Sequence, residues 1–89
     1  MARLELSSVE LIEHAAVGGA VDALFELGLM YSTGRDVGAD FVLAHKWFNL
    51  AALRGNDEAK RFRMELSREM SKRDIAAAQR FARDWLRAH

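Results

Sequence analysis

The pair Ala15-Ala16 returns as Ala51-Ala52, 36 residues further on. At the same offset Gly19 returns as Gly55 and Ala23 as Ala59. Acidic Asp22 is matched by Glu58, and apolar Leu11 and Ile12 by Trp47 and Phe48. One such match is trivial in an alanine-rich chain, but several at one offset mark an internal repeat. A period of this length constrains the fold strongly, because each unit must stack on a neighbour to bury its apolar faces.

The repeated unit reads as helix throughout. The chain has no proline, so nothing removes a donor from a helical ladder. Ser7 with Glu10 fits a capping box. The short helix that follows carries Val9, Ile12 and Ala16 on one face and ends at Gly18-Gly19. A second helix runs from about Val21 to Thr33, with Leu24, Leu27, Gly28 and Tyr31 at helical spacing, and Gly34 ends it. Asp40 is a good N-cap for a third helix. Its apolar face is Ala44, Trp47, Phe48, Ala51 and Ala52, and Gly55 is the stop. Asn56 or Asp57 caps a fourth helix with Ala59, Phe62, Leu66 and Met70 in a row. Ser71 with Asp74 starts a fifth, which aligns Ile75, Ala78, Phe81, Ala82, Trp85 and Leu86. No stretch alternates with period two over strand length.

The segment from Ala23 to Gly55 contains Ala23, Leu27-Gly28, Tyr31, Gly34, Asp40, Ala44, Trp47, Ala51-Ala52 and Gly55 in order. This pattern resembles the Sel-one-like repeat, the long-loop relative of the tetratricopeptide repeat. The resemblance is clear over residues 23–55, weak over 9–22 and 56–66, and absent from the last 20 or so. Two positions depart from the family pattern. The loop reads Gly34-Arg35-Asp36-Val37 where the family has Gly-x-Gly-Val, and Met64 stands where a second copy would have its glycine. Asp36 is expected in a left-handed conformation, which aspartate tolerates less well than glycine. The mid-helix Gly28 costs roughly 1 kcal/mol relative to alanine, and a second helix crossing close to it, through Ala44 and Ala51, accounts for it.

The expected fold is therefore all-α: a short right-handed solenoid of antiparallel helix pairs, about five helices, with a C-terminal capping helix. It forms a single domain over residues 1–89. A half repeat spans about 7–19, a full repeat about 20–55, a second half repeat about 56–70 and the capping helix about 71–88. The cap is expected to hide the open end of the stack, covering Phe62 and Leu66.

Several function classes are excluded or disfavoured by the residues present. There is no cysteine, hence no disulfide and no thiolate metal site. His14, His45 and His89 do not share a helix face as a ligand pair, so no metal and no cofactor are expected; His45 reads as solvent-facing and His14 as a partly exposed helix residue. The loop from Gly34 to Asp40 lacks the Gly-Lys-Ser/Thr of a phosphate loop. With only Asp36 and Asp40, it also lacks the oxygen ligands of a calcium loop. Glu10, Glu13, Asp22 and Glu26 have no evident nucleophile beside them, so no enzyme activity is expected. Met1 to Ser8 does not read as a signal peptide, and no stretch approaches a membrane span of about 18 apolar residues. The expected setting is cytoplasmic, of bacterial type, with no membrane partner.

Charge is uneven although the formal net is zero. Residues 1–56 hold four basic and seven acidic side chains, and residues 57–89 hold nine basic and six acidic. Arg73, Arg80 and Arg87 recur every seven residues on the last helix. They support a second reading, a small helical nucleic-acid binder using the basic C-terminal half, but Asp74 and Asp84 interrupt the field.

The resemblance implies a protein–protein interaction module, an adaptor whose partner is another protein or a second copy in a homodimer. In such solenoids the first helix of each pair lines the concave side. The outward positions of the second helix are Asp22, Phe25, Leu29 and Ser32. Their counterparts one repeat on are Glu58, Arg61, Glu65 and Arg68. Phe25 and Leu29 either form an open apolar patch or are covered by the fourth or the last helix.

Overall fold

The computed structural model describes residues 6–89. Met1 to Glu5, the first part of the stretch expected to lack a leader, lie outside the described residues. Five helices follow in order: α1 (Ser8–Val17), α2 (Val21–Thr33), α3 (Phe41–Leu53), α4 (Asp57–Ser67) and α5 (Lys72–Ala88). The described residues contain no strand.

Four of the five starts are set by one side chain each. Ser7 accepts from the Glu10 amide, and the Glu10 carboxylate accepts from the Ser7 amide and hydroxyl, a complete capping box. Asp40 Oδ1 accepts from the Leu43 amide at 3.1 Å, Asn56 Oδ1 from Ala59 at 2.8 Å and Ser71 Oγ from Asp74 at 3.0 Å. Such caps satisfy amides that the helix leaves without a partner. Helix α2 starts without a side-chain cap, after the turn at Gly18-Gly19.

The loop between α2 and α3 is a structural turn. Gly34 stands left-handed at φ 77°, and its amide and that of Arg35 both return to the Met30 carbonyl. Asp36 follows at φ 63°, the one non-glycine residue with positive φ among those described. The Asp40 amide then donates to the Tyr31 carbonyl at 2.9 Å, closing the turn. Arg35 also pairs with Glu26 across it.

Helices α2 and α3 form the central pair; α1 packs on α2, and both α4 and α5 pack on α3. This is the all-α helical-repeat architecture. The core holds Leu24, Leu27, Met30, Phe48 and Leu50 as its largest fully buried side chains, with Ala16, Ala44, Ala51, Ala59 and Ala82 between them.

Several expectations are corrected. The close neighbour of Gly28 is the Phe48 ring, whereas Ala44 and Ala51 were expected there. A Cβ on Gly28 would overlap that ring, so the glycine acts as a seat for an aromatic side chain. Phe81 and Leu86, placed on the apolar stripe of α5, are 40% and 42% exposed. They flank the buried row of Ala78 and Ala82 at its edges. His45, expected to face solvent, is 2% exposed, because α3 is covered by three other helices. The cap was expected over Phe62 and Leu66, but α5 lies on α3, where Trp85 meets Trp47 edge-on at 5.9 Å. Phe62 instead faces Phe25 and Phe48.

Candidate functional site

The outward residues of α2 and α4 divide into two groups. Asp22, Glu58, Arg61, Glu65 and Arg68 are exposed. Phe25, Leu29 and Ser32 are half-buried. Phe25 is held by two rings, 5.7 Å from Phe48 and 5.6 Å from Phe62, and Phe62 stacks on Phe48 at 5.5 Å. The three form a continuous aromatic cluster through α2, α3 and α4. Phe25 is thus covered by α4 and is no open patch. The Ser32 hydroxyl donates to the Leu29 carbonyl at 3.0 Å, and the Arg61 guanidinium lies over the Phe62 ring at 5.6 Å.

At the C-terminal ends of α2 and α4 this surface opens into a cleft of about 190 Å³. Phe48, Phe62 and Leu66 line its floor; Phe41, Ser32, Glu65 and Glu69 line its rim. Phe41 is 40% exposed. Ser32 and Glu65 are thereby brought into one site, while Asp22 and Glu58 are not among the residues that line it. Sequence reasoning missed Phe41, Phe62 and Glu69 as site residues. Phe41 is the first residue of α3 and follows its cap directly, so no helical period marks it. Phe62 was assigned wholly to the core. Glu69 lies in the turn after α4, outside any repeating face.

The cleft can accept an apolar side chain on an aromatic floor. Its rim supplies two carboxylates. The C-terminal ends of α2 and α4 add partial negative charge from their free carbonyls. A segment with an apolar residue beside a lysine or arginine matches both features.

A second polar cluster lies between α3 and α4. His45 Nε2 is 3.0 Å from Ser67 Oγ, and the Ser67 hydroxyl donates to the Arg63 carbonyl at 2.9 Å. A hydroxyl has one proton, so Ser67 must accept from His45. With its proton on Nε2, the ring leaves Nδ1 as a bare lone pair in its neutral form, the form that burial favours. That Nδ1 is buried and without a partner. Burial, and then the charge of Arg63, push the His45 pKa below its ordinary value. The His45–Ser67 pair joins two helices that are 22 residues apart in sequence at this point. It serves as a clasp between α3 and α4, beside the bond from Arg63 Nη1 to Asn49 Oδ1 at 2.6 Å.

Other charged groups bear on packing. Burial raises the Tyr31 pKa, aided by Glu13 and Asp40. Burial lowers that of Lys46, partly opposed by Glu13, and Lys46 Nζ sits 4.2 Å over the Trp47 ring. His14 is exposed on α1, and His89 lies against Trp85 with ring centroids 4.7 Å apart. No group of three His, Asp or Glu side chains among the described residues is arranged to hold a metal ion. No described helix is long and apolar enough to cross a membrane.

The repeat residues occupy the positions their chemistry suggests. Ala23, Leu27, Gly28, Ala44, Trp47 and Ala51 are buried, Tyr31 and Ala52 half-buried. Gly34 and Gly55 adopt positive φ, and Asp40 caps α3. A helix hairpin of this kind, with α1 packed on α2 and both α4 and α5 on α3, is consistent with a helical-repeat protein. Residues 21–56 match the family model described as Sel1 repeat. Over that segment, 36 of the 89 residues, the chain is similar to the Sel1 repeat. Comparison with curated proteins and with solved structures found no significant match. Sel1 repeats generally mediate protein–protein interactions.

Proposed function

We propose that this chain is a non-catalytic protein–protein interaction module, an adaptor whose cleft between α2 and α4 receives a segment of another protein. The carrying observation is the cleft itself: an aromatic floor of Phe48 and Phe62 edged by Phe41, with Glu65 and Glu69 on the rim. The segment it fits presents one apolar anchor and adjacent basic side chains. Exposed Arg61 on α4 and Arg68 at its C-cap lie toward the cleft and extend the contact, while Asp22 and Glu58 stand at the opposite, N-terminal ends of α2 and α4. The reading places the module in the cytoplasm.

The test is selection from a displayed peptide library on the immobilised chain. Enriched peptides should combine an apolar residue with lysine or arginine. Glu65→Lys with Glu69→Lys should weaken them at least about tenfold, a change of 1.4 kcal/mol. Phe41→Ser, at an exposed position, should do likewise without loss of helicity. Phe25→Glu is a poor probe, because it would bury a carboxylate between two phenyl rings. Binding unaffected by either substitution would remove the cleft from consideration.

A further inference from the structure

We propose that the chain holds a second ligand site, a cavity between α3 and α5 that takes a free amino acid with a large apolar side chain. The cavity measures about 410 Å³, within the roughly 300–1,000 Å³ typical of small-molecule pockets. It shares no lining residue with the cleft between α2 and α4, so the two readings stand or fall separately.

The walls follow from helix spacing. Phe81, Trp85 and Ala88 are four and three residues apart, which places them on one side of α5. Leu43 meets them from α3, and His89 lines the cavity with its ring centroid 4.7 Å from that of Trp85. Phe81 is exposed and Trp85 half-buried, so aromatic surface is left open for an apolar group.

The same cavity holds one charge of each sign. Lys46, three residues after Leu43, and Asp84, next to Trp85, both line it. Among the described residues neither makes an ion pair; the one pair is Arg35 with Glu26. Lys46 is half-buried, with Nζ 4.2 Å from the Trp47 ring centroid. Burial lowers its pKa, and the charge of Glu13, beyond ion-pair distance, offsets this only in part. An ammonium group so placed lacks a full counter-charge, which a carboxylate supplies. The Arg80 guanidinium, 5.7 Å from the Phe81 ring centroid, adds to the attraction for a carboxylate. Exposed Asp84 can accept from an ammonium group. An apolar anion would be repelled by Asp84, and an apolar amine by Lys46. A zwitterion satisfies both: its carboxylate meets Lys46, its ammonium meets Asp84, and its side chain lies on Trp85 and Phe81. Asp84 and Ala88 stand open to solvent, which screens the charges and keeps the affinity modest.

The test titrates the isotope-labelled full chain with phenylalanine and follows the Trp47 and Trp85 indole N–H signals by NMR. Phenylalanine should shift the Trp85 signal saturably, and glycine, which lacks the side chain, should not. N-acetylphenylalanine lacks the ammonium and phenylalaninamide the carboxylate; each should bind at least about tenfold more weakly. Lys46→Met, which keeps an apolar stem over Trp47, should abolish the preference for phenylalanine over phenylalaninamide. Asp84→Asn should abolish the preference over N-acetylphenylalanine. Each variant should keep the other preference, with an unchanged backbone spectrum away from the cavity. Absence of a saturable shift overturns the proposal. So does equal binding of either analogue to wild type, which would leave only an apolar depression, and so do preferences that survive both substitutions. Shifts confined to Phe41 and Glu69 also overturn it and assign phenylalanine to the cleft.

Discussion

Gly28→Ala should destabilise the fold, although alanine is the better helix former by about 1 kcal/mol. The added Cβ would stand 2.9 Å from Phe48 Cγ and closer still to Cδ1 and Cε1, against an ordinary carbon–carbon separation of about 3.5–4.0 Å. The ring has little freedom to yield. It is 1% exposed, with Phe25 at 5.7 Å and Phe62 at 5.5 Å between ring centroids. Overpacking of this kind costs about 1–3 kcal/mol, and a ring held by two others belongs at the upper end. Subtracting the propensity gain leaves a net loss of about 2 kcal/mol. In a domain of this size that lowers Tm by roughly 8–16 °C. The cause can be isolated with a double-mutant cycle, measured by urea denaturation. Phe48→Leu alone should cost about 1–2 kcal/mol through lost volume and ring contacts. Adding Gly28→Ala to it should cost little more, because leucine vacates the space the methyl needs. A coupling near 2 kcal/mol is expected. A Gly28→Ala protein as stable as wild type, or additive losses in the double variant, would refute the seat-and-ring account.

Asp36→Gly should stabilise by about 0.5–1 kcal/mol, because it relieves a left-handed aspartate, and thermal melting should show Tm rising. A lower Tm would mean that the carboxylate makes a contact worth more than the strain. His45 makes stability depend on pH. Its folded-state pKa lies below the unfolded value of about 6.5, so the unfolded chain takes up the proton first. Stability is complete above about pH 6.5 and declines as pH falls toward the folded value. His45→Gln, which can still donate to Ser67, should flatten that decline in melts between about pH 5 and 7; an unchanged slope would exclude His45 as the cause. Trp85→Ala should cost about 2 kcal/mol, less than a fully buried tryptophan because Trp85 is only half-buried. It should also shift the remaining Trp47 emission to the red, since α5 no longer shields that ring; an unshifted spectrum would contradict the placement of α5 on α3.

Helix limits were legible because single side chains set them. Ser7, Asp40, Asn56 and Ser71 each announce a start by residue type and by the position of the amide they cap. The glycines with positive φ mark three of the turns. The packing partners were less legible. The spacing of α2 shows that something must approach Gly28, but whether Ala44, Phe48 or Ala51 arrives depends on how the two helices slide past one another, which no local pattern encodes. Reading each helix as one apolar stripe also failed for the central pair. Helix α3 meets α2, α4 and α5, so Leu50 and His45 are buried away from the stripe, as Met30 is on α2. A polar residue there cannot reach water and must find a partner, which Ser67 supplies from a helix 22 residues away.

The same crowding explains why the candidate site was only half visible. Phe48 and Phe62 belong to the core cluster and also floor the cleft, so one aromatic stack serves stability and recognition together. A residue with both duties looks, in sequence, like core alone. Two consequences follow for experiment. Substitutions meant to probe binding must spare the stack and act on the rim at Phe41, Glu65 and Glu69. Conversely, a bound segment that packs against Phe62 adds contacts to the stack and stabilises the folded state by mass action. Thermal stabilisation by an enriched peptide, lost in Phe41→Ser, therefore reports occupancy of this cleft, and a peptide that binds without raising Tm would not be seated on the aromatic floor.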